Sequence, residues 1–315
     1  MSKSSKSDAP ILITMGEPAG IGPEVAVAAI AALSGRVGTR VLKLIGDPGV
    51  FRAVGFAGDV IATRATATRV AGRGDSKNAA AVTEAIETAV AMCSRGEAAA
   101  VVTAPINKAV LMEAGFPYPG HTEFLGALTK APRAVMMLAS DALRVVPLTV
   151  HMPVAQVPGA VTTASIVETA EITLAALARD FGIAKPRLAI AGLNPHAGED
   201  GELGKEDAAI IAPAVTALKA KGHDVRGPLS ADTLFHTEAR ARYDAALCMY
   251  HDQALIPIKT LSFWDGVNVT LGLPIVRTSP DHGTAFDIAG TGKADARSMI
   301  AAIRMAAQMA DARAR

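Results

Sequence analysis

Apolar and polar positions follow two alternating rhythms along this chain. Short runs rich in valine, isoleucine and leucine are separated by longer stretches in which apolar residues recur every three or four positions. The first rhythm is typical of buried strands and the second of amphipathic helices, so their alternation predicts an α/β fold with a mainly parallel sheet covered by helices. The predicted strands are 11–15, 41–45, 99–103, 135–138, 145–150, 188–191, 245–249 and 267–271, and the predicted helices are 23–33, 76–94, 162–181, 206–221 and 294–312.

Helix ends and chain length refine this picture. Pro23 suits a first helical turn, whereas Gly182 and Gly222 suit positions just past a helix end.

The chain has 315 residues, and single hydrophobic cores stop growing near this length. We therefore expect two lobes.

Charge and composition restrict the class of ligand. The 31 basic and 30 acidic side chains give a net charge of +1, which argues against nucleic acid and against a membrane surface as partners. The first ten residues are polar, and no segment reaches about 18 consecutive apolar residues. Cys93 and Cys248 are too few for a disulfide framework or a thiolate metal site. We expect a cytoplasmic protein that binds a small molecule.

Three of the seven histidines follow predicted strands at equivalent places: His151, His196 and His251. In parallel sheets, ligands bind beyond the carboxyl ends of the strands. Taken singly, each histidine fits a hydrogen-bonded structural residue. Taken together, they fit a three-histidine metal site with an open coordination position. The chain has no HExxH or paired CxxC motif, so spacing leaves both interpretations open.

A second group contains residues that bind anions and alcohols. It comprises the segments 103–108 and 120–123 together with Lys259, Asn268 and Arg277. Arginine grips a phosphate or carboxylate with a planar fork, and lysine acts as a point charge. His121 and Thr122 stand at a possible helix start, where free backbone amides favour an anion. The competing interpretation is a set of solvated surface charges.

Two glycine-rich segments have no standard nucleotide motif. Residues 16–24 join a strand to a helix and match neither GxGxxG nor GxxxxGK[ST], so they form either a tight turn or a wall of the cleft. Residues 281–295 combine glycines, small residues and a histidine. Glycines permit close backbone approach, so this segment either faces a flat ligand such as an adenine ring or is a turn before the last helix.

Ordered motifs across nearly the whole chain resemble the 4-hydroxythreonine-4-phosphate dehydrogenase family. They read TMGEPAGIGPE, VVTAPINK, GHTEFL, LAIAGLNPHAGE, GPLSADTLF, MYHDQALIPIK and GVNVTLGLPIVRTSPDHGTAFDIAGTGKAD. The resemblance implies two α/β/α lobes similar to those of isocitrate and isopropylmalate dehydrogenases. Residues 1–135 with 282–315 would form the first lobe and 136–281 the second, with the active site in the cleft between them.

The resemblance also implies roles for individual residues. It makes His151, His196 and His251 ligands of one divalent ion (Zn, Co, Mn or Mg), shared between the subunits of a homodimer. Asp232 and Asp252 match acidic positions near the site, and Lys259 or Asp232 is expected to take the alcohol proton. The implied substrate contacts are His121, Thr122, Lys259, Asn268 and Arg277, and the residues facing NAD or NADP are His282, Gly283, Thr284, Ala285 and Asp295.

The implied reaction belongs to vitamin B6 biosynthesis. A secondary alcohol, 4-phosphooxy-L-threonine, is oxidised to a β-keto acid that decarboxylates to 3-amino-2-oxopropyl phosphate. The main alternative is a sister dehydrogenase acting on D-threonate or D-erythronate 4-phosphate, because these substrates also carry a carboxylate, a phosphate and a hydroxyl. More distant alternatives are a metal-dependent hydrolase or lyase without nicotinamide, and a metal-binding regulatory protein.

Overall fold

The computed structural model describes residues 8–315. In chain order, its strands are β1 Ile11–Thr14, β2 Arg36–Val37, β3 Arg40–Gly46, β4 Val60–Ala62, β5 Ala100–Val102, β6 Val135–Ala139, β7 Arg144–Pro147, β8 Arg187–Ala191, β9 Asp224–Leu229, β10 Ala245–Cys248, β11 Val267–Leu271 and β12 Arg277–Pro280.

Helices alternate with these strands. They are α1 Gly22–Ala32, α2 Pro48–Arg52, α3 Ala79–Ser94, α4 Lys108–Glu113, α5 His121–Thr129, α6 Val157–Ala160, α7 Thr163–Asp180, α8 Ala212–Ala220, α9 Thr237–Arg240, α10 His251–Leu261 and α11 Arg297–Ala314. Short 3₁₀ turns occupy Ser76–Asn78, Val154–Gln156, Pro195–Gly201 and Ala231–Thr233, and a π turn occupies Asp207–Ile211.

The chain forms two compact units. Unit 1 contains the described residues up to Ala134 together with Val267–Arg315, and unit 2 contains Val135–Gly266. Residues 267–281, which the sequence led us to place in the second lobe, lie in unit 1. The reason is strand pairing, since β12 runs parallel to β5 and β11 pairs antiparallel with β12.

The sheet of unit 1 is built around β1. This strand lies between β3 and β5, parallel to both, with Ile11 opposite Leu42 on one side and Ala100 on the other. All four of its residues are buried, as expected for a parallel strand covered on both faces. Helices α1, α3 and α11 supply further buried apolar side chains.

The sheet of unit 2 is built around β10. This strand is parallel to β7 and to β8, while β9 extends the sheet beside β8 and β6 pairs antiparallel with β7. Leu255 and Ile258 of α10 pack into the same core as Ala246 and Cys248 of β10. As a result, the start of α10 lies at the carboxyl end of the central strand.

The predicted fold class, an α/β protein with a mainly parallel sheet, is confirmed. All eight predicted strands are present, although four are shorter by one or two residues. Gly182 and Gly222 follow α7 and α8 with φ of 69° and 86°, as predicted for helix ends. Helix α10 was missed because Pro257 lies inside it, and a proline is typical of a helix boundary.

Helix length bears on the expectation about membranes. Within residues 8–315, no single helix is long and apolar enough to cross a bilayer. Val154–Ala160 and Thr163–Asp180 meet that criterion only when joined, and they are bent by 90° at the break between them.

Candidate active site

A buried arginine is the centre of the first group of site residues, in unit 1. Arg277 opens β12 and is 2% exposed. Its Nε and Nη2 donate to Thr103 Oγ1 over 3.1 and 2.6 Å, and its Nη1 donates to Thr270 Oγ1 over 2.8 Å and lies 3.4 Å from Asn268 Oδ1. Within residues 8–315 no carboxylate accepts a hydrogen bond from it.

This arrangement leaves the guanidinium charge of Arg277 unbalanced. Burial lowers its pKa to about 9, so the group stays cationic at neutral pH. A buried cation that is surrounded by neutral oxygens gains strongly from an anion brought next to it. These properties suit Arg277 to the predicted role of binding an anion.

His121 lies close enough to Arg277 for the two to interact electrostatically. It is the first residue of α5, and its Nε2 is buried with no hydrogen-bond partner in the described part of the chain. Burial and then the charge of Arg277 hold its pKa well below the usual value. The imidazole is therefore neutral, with a ring nitrogen available to a ligand. Thr122 is the next residue of the same helical turn.

Glu17 is a buried acid that our sequence reasoning missed. It lies in the loop after β1 and is 1% exposed. Its Oε1 accepts from the Ala19 amide over 3.1 Å, whereas its Oε2 is buried without a partner among residues 8–315. Burial, and to a smaller extent Asp75, raises its pKa. The sequence signal that could have revealed this residue is an acidic side chain inside an otherwise apolar, glycine-rich turn.

The loop that contains Glu17 is hydrogen-bonded to the segment whose Thr103 binds Arg277. The Glu17 amide donates to the Pro105 carbonyl over 2.8 Å, and Pro105 lies two residues beyond Thr103. The segments after the neighbouring strands β1 and β5 therefore meet beside the anion-binding arginine.

The predicted dinucleotide segment packs on the same glycine-rich loop. The Thr284 carbonyl accepts a hydrogen bond from the Ile21 amide over 2.9 Å. A Cβ at Gly20 would lie 2.6 Å from that carbonyl oxygen, so only glycine fits there. His282 has its Nδ1 2.9 Å from the Gly283 carbonyl, and its Nε2 is another buried ring nitrogen without a partner in the described structure.

Asp295, the last residue of that predicted segment, is engaged by Arg297. Its two carboxylate oxygens accept from the Arg297 amide, Nε and Nη2 over 2.9, 2.8 and 2.6 Å. These bonds, with a smaller contribution from His282, lower the pKa of Asp295. Next to the same segment, a hollow of about 410 Å³ is lined by residues that include Glu24, Arg69, Gly290 and Gly292.

Unit 2 brings together two of the three predicted metal ligands. The ring centres of His151 and His251 lie 5.9 Å apart with their planes at 45°, and both rings line an open hollow of about 480 Å³. Two imidazoles on one tetrahedral ion, with metal–nitrogen distances near 2.0 Å, would have ring centres about 5 Å apart. The pair therefore fits a shared cation after a small inward movement.

The hydrogen bond of His251 also suits a metal ligand. Its Nδ1 lies 2.6 Å from the carboxylate of Asp252. A proton shared there leaves Nε2 with the lone pair, which is the usual arrangement of a carboxylate behind a metal-binding histidine.

His196 stands apart from this pair. It lies in the Pro195–Gly201 turn, where residues 196–200 all have positive φ. It is close enough to Asp232 to interact electrostatically: the pKa of Asp232 is lowered mainly by the Ser230 hydroxyl, 2.5 Å away, and to a smaller extent by His196. Within residues 8–315 of one chain, no three His, Cys, Asp or Glu side chains are arranged to hold a metal ion.

Lys259 lies two turns after His251 on α10. It shares a hollow of about 390 Å³ with His251 and Asp252, and its Nζ is 5.8 Å from the centre of the Phe263 ring. The predicted site residues therefore form two groups. Unit 1 carries His121, Thr122, Asn268, Arg277 and the 282–295 segment, and unit 2 carries His151, His196, Asp232, His251, Asp252 and Lys259.

Comparison with protein families and curated relatives gives one consistent result. The sequence profile of the family described as "Pyridoxal phosphate biosynthetic protein PdxA" matches residues 37–306. A 4-hydroxythreonine-4-phosphate dehydrogenase of Xanthobacter autotrophicus is 49% identical, covering 98% of this chain and 95% of the relative. One from Roseobacter denitrificans is 53% identical, covering 97% and 98%.

Solved structures agree with the sequence comparison. The crystal structure of 4-hydroxythreonine-4-phosphate dehydrogenase from Klebsiella pneumoniae superposes with a TM-score of 0.86 at 37% identity, covering 96% of this chain and all of that one. A terephthalate 1,2-cis-dihydrodiol dehydrogenase from Burkholderia xenovorans gives a TM-score of 0.66 at 26% identity, covering 96% and 98%.

Proposed function

The chain belongs to the pyridoxal phosphate biosynthetic protein PdxA family, and from this premise we propose that it oxidises 4-phosphooxy-L-threonine with NAD or NADP. Relatives about half identical over nearly their whole length carry the corresponding name. The observation on this chain that carries the proposal is Arg277, a buried cation that has no carboxylate partner in the described part of the chain. Such a group suits a substrate with a phosphate and a carboxylate.

Substrate binding is assigned to the group in unit 1 and to Lys259. Arg277 offers guanidinium donors to one anionic group of the substrate, and Asn268 lies beside it. His121 stays neutral next to that charge, so it donates or accepts a hydrogen bond without adding a second buried cation. Thr122 follows at the start of α5, where backbone amides add to the attraction for an anion.

Metal binding is assigned to His151, His196 and His251. The ring separation of His151 and His251 and the carboxylate of Asp252 behind His251 support it. When bound, a divalent ion supplies positive charge that lowers the pKa of the substrate hydroxyl and stabilises negative charge on its oxygen. Histidine ligands suit zinc, cobalt or manganese, and magnesium remains among the candidates.

Lys259, as the uncharged amine, is our choice for the group that receives the hydroxyl proton, because an ammonium group has no lone pair to accept it. The alternative, Asp232, has a lowered pKa because the Ser230 hydroxyl donates to its carboxylate. A carboxylate stabilised in this way is a weaker proton acceptor. Lys259 also shares a hollow with His251.

The dinucleotide is assigned to the segment His282, Gly283, Thr284 and Ala285, with Asp295 further along. A Cβ at Gly283 would meet no atom within 4 Å, so the peptide backbone at that position is open to a flat ligand. Hydride transfer from the substrate carbon to nicotinamide would give a β-keto acid. Loss of carbon dioxide from that acid gives 3-amino-2-oxopropyl phosphate.

We also propose a homodimer in which the site is completed across the interface. Unit 2 exposes large apolar side chains on and after α10, including Ile256 and Phe263, each 63% exposed. Exposed apolar surface of this kind marks an interaction site. Within residues 8–315 of one chain, no three potential metal ligands are grouped together, which is expected if a second subunit supplies the missing ligand.

A steady-state assay tests the proposal. Purified enzyme treated with chelator and reloaded with Zn²⁺ or Co²⁺ should turn over 4-phosphooxy-L-threonine with NAD or NADP, and metal-free enzyme should not. Preference for D-threonate or D-erythronate 4-phosphate would instead identify the sister activity. If neither nucleotide raised the melting temperature of metal-loaded protein, with or without substrate, a hydrolase or lyase would be favoured.

A further inference from the structure

Buried hydrogen bonds join the three histidine-bearing loops of unit 2. Thr149, two residues before His151, donates through Oγ1 to the Met249 carbonyl over 2.7 Å. The Met249 amide in turn donates to Gln253 Oε1 over 2.7 Å. Since Met249 and Gln253 stand on either side of His251, these bonds connect the loop of His151 with the loop of His251.

Gln253 extends the connection to the third loop. Its Nε2 donates to the Gly192 carbonyl over 2.8 Å, four residues before His196. The next two amides, of Leu193 and Asn194, donate to the carboxylate of Asp207 over 2.8 and 3.1 Å. Asp207 is 1% exposed, so the beginning of the His196 loop is held from inside the unit.

The side chain of Gln253 is suited to this bridge. It occupies the first turn of α10, where its amide oxygen accepts from the backbone amide preceding the helix and its amide nitrogen donates to another loop. A carboxylate in its place would lack the donor, and an apolar side chain would lack both groups. The bridge also has little freedom, because both ends of the amide are engaged.

We propose that Gln253 is a positioning residue that sets the distance and orientation between the loops of His251 and His196, with Thr149 fixing the loop of His151 in the same way. The inference rests on the proposed function of the three histidines as metal ligands. It holds whichever subunit supplies each ligand, because the bonds fix how every chain presents its three loops. Groups behind metal ligands typically change metal affinity by about 10- to 100-fold when removed.

Replacement of Gln253 by methionine isolates the contribution of its two hydrogen bonds to metal binding. Methionine has a similar length and no charge, so Gln253→Met removes both hydrogen bonds without changing the electrostatic field at the histidines. We expect the dissociation constant for Co²⁺, titrated into chelated protein, to rise about 10-fold or more. The visible absorption of the bound Co²⁺ should also shift, because the ligand geometry relaxes. Gln308→Met on the exposed side of α11 is the matched control and should change neither quantity.

A second variant keeps the inference testable if Gln253→Met does not fold. Thr149→Val preserves the side-chain volume and removes only the hydrogen bond from the Thr149 hydroxyl to the Met249 carbonyl. It should therefore weaken Co²⁺ binding as Gln253→Met does, but by a smaller factor. Wild-type affinity and an unchanged Co²⁺ spectrum in either folded variant would overturn the positioning role while leaving the proposed function intact. Wild-type protein that bound no Co²⁺ would overturn both.

Discussion

Arg277 shows how one residue acquires a function from its burial. A guanidinium at the surface would be hydrated and of little use as an anchor, whereas this one is bonded to two threonine hydroxyls and has no carboxylate partner within residues 8–315. Its pKa falls to about 9, which still leaves it charged at neutral pH. The unbalanced charge favours an anion. The hydrogen bonds to the two threonines fix the direction of the remaining N–H donors.

Arg277→Lys should preserve the positive charge but lose the planar arrangement of N–H donors. A lysine cannot reproduce the fork that reaches Thr103, Thr270 and an anion at once. We expect KM for the phosphorylated substrate to rise about 10-fold or more, equivalent to at least about 1.4 kcal/mol of binding. Arg304→Lys at an exposed position of α11 should behave as wild type. An unchanged KM in Arg277→Lys would show that this residue does not bind the substrate.

His121 should make the stability of the ligand-free protein depend on pH in a defined direction. Its folded pKa lies well below the usual 6.5, so below pH 6.5 the unfolded chain binds a proton that the folded chain does not. The free energy of unfolding therefore falls as pH drops below 6.5, by up to about 1.4 kcal/mol per pH unit from this one group. Above pH 6.5 this contribution is constant.

Urea unfolding between pH 7.5 and 5 measures the effect of His121. The fall in stability should be shallower in His121→Gln than in wild type, because glutamine has no proton to gain. Equal slopes for the two proteins would mean that His121 titrates normally and is not buried as described.

At the scale of elements, loops after neighbouring strands hold one another in place. The loop after β1 bonds to the segment after β5 and to Thr284 in the segment after β12. Parallel strands bring their carboxyl ends to one edge of the sheet, so segments far apart in sequence become neighbours. Glycines allow the close approach of these backbones.

Gly20→Ala should disturb the dinucleotide loop more than the anion site. The new Cβ would lie 2.6 Å from the Thr284 carbonyl, so the 282–285 segment must move. We expect KM for NAD or NADP to rise about 10-fold, as for a lost contact of about 1.4 kcal/mol, with a smaller change in KM for the phosphorylated substrate. Gly159→Ala, where a Cβ meets no atom within 4 Å, is the control. Equal KM values in wild type and Gly20→Ala would contradict this role.

At the scale of the whole molecule, the two groups of site residues belong to different units. The proposed metal ligands and Lys259 lie in unit 2, whereas Arg277 and the segment proposed to face the dinucleotide lie in unit 1. The proposed chemistry needs residues of both groups, and the proposed dimer would complete the ligand set, so we expect assembly and activity to be linked.

Ile256→Glu should separate the subunits and abolish activity together. A charge placed on the exposed apolar face of α10 would lose its hydration in an apolar interface. Sedimentation should show a monomer at concentrations where wild type is dimeric, and Co²⁺ binding should weaken about 10-fold or more, because the completed ligand set is lost. Met112→Glu, an exposed position of α4 in unit 1, should leave both unchanged. A fully active monomer would refute the shared site.

The sequence by itself determined the fold class, eight of the twelve strands found in residues 8–315 and the identity of the anion-binding and metal-binding candidates. Local periodicity carries this information, since an apolar run or a 3.6-residue repeat is visible in any short window. The short or edge strands β2, β4, β9 and β12 were missed because such windows are too polar or too brief. The 267–281 segment was placed in the other lobe for a similar reason, because strand pairing over a long sequence separation leaves no local trace.

Tertiary structure alone decided which of these residues act together. Folding left Arg277 without a hydrogen-bonded carboxylate among residues 8–315, made His121 neutral and turned Glu17 into a buried acid, and none of these properties belongs to the residue type itself. The same packing joined the loops of three histidines through Gln253, whose sequence context shows only a polar residue after a predicted strand. Desolvation and contact depend on everything that surrounds a side chain, and these surroundings come from strands and loops far away along the chain.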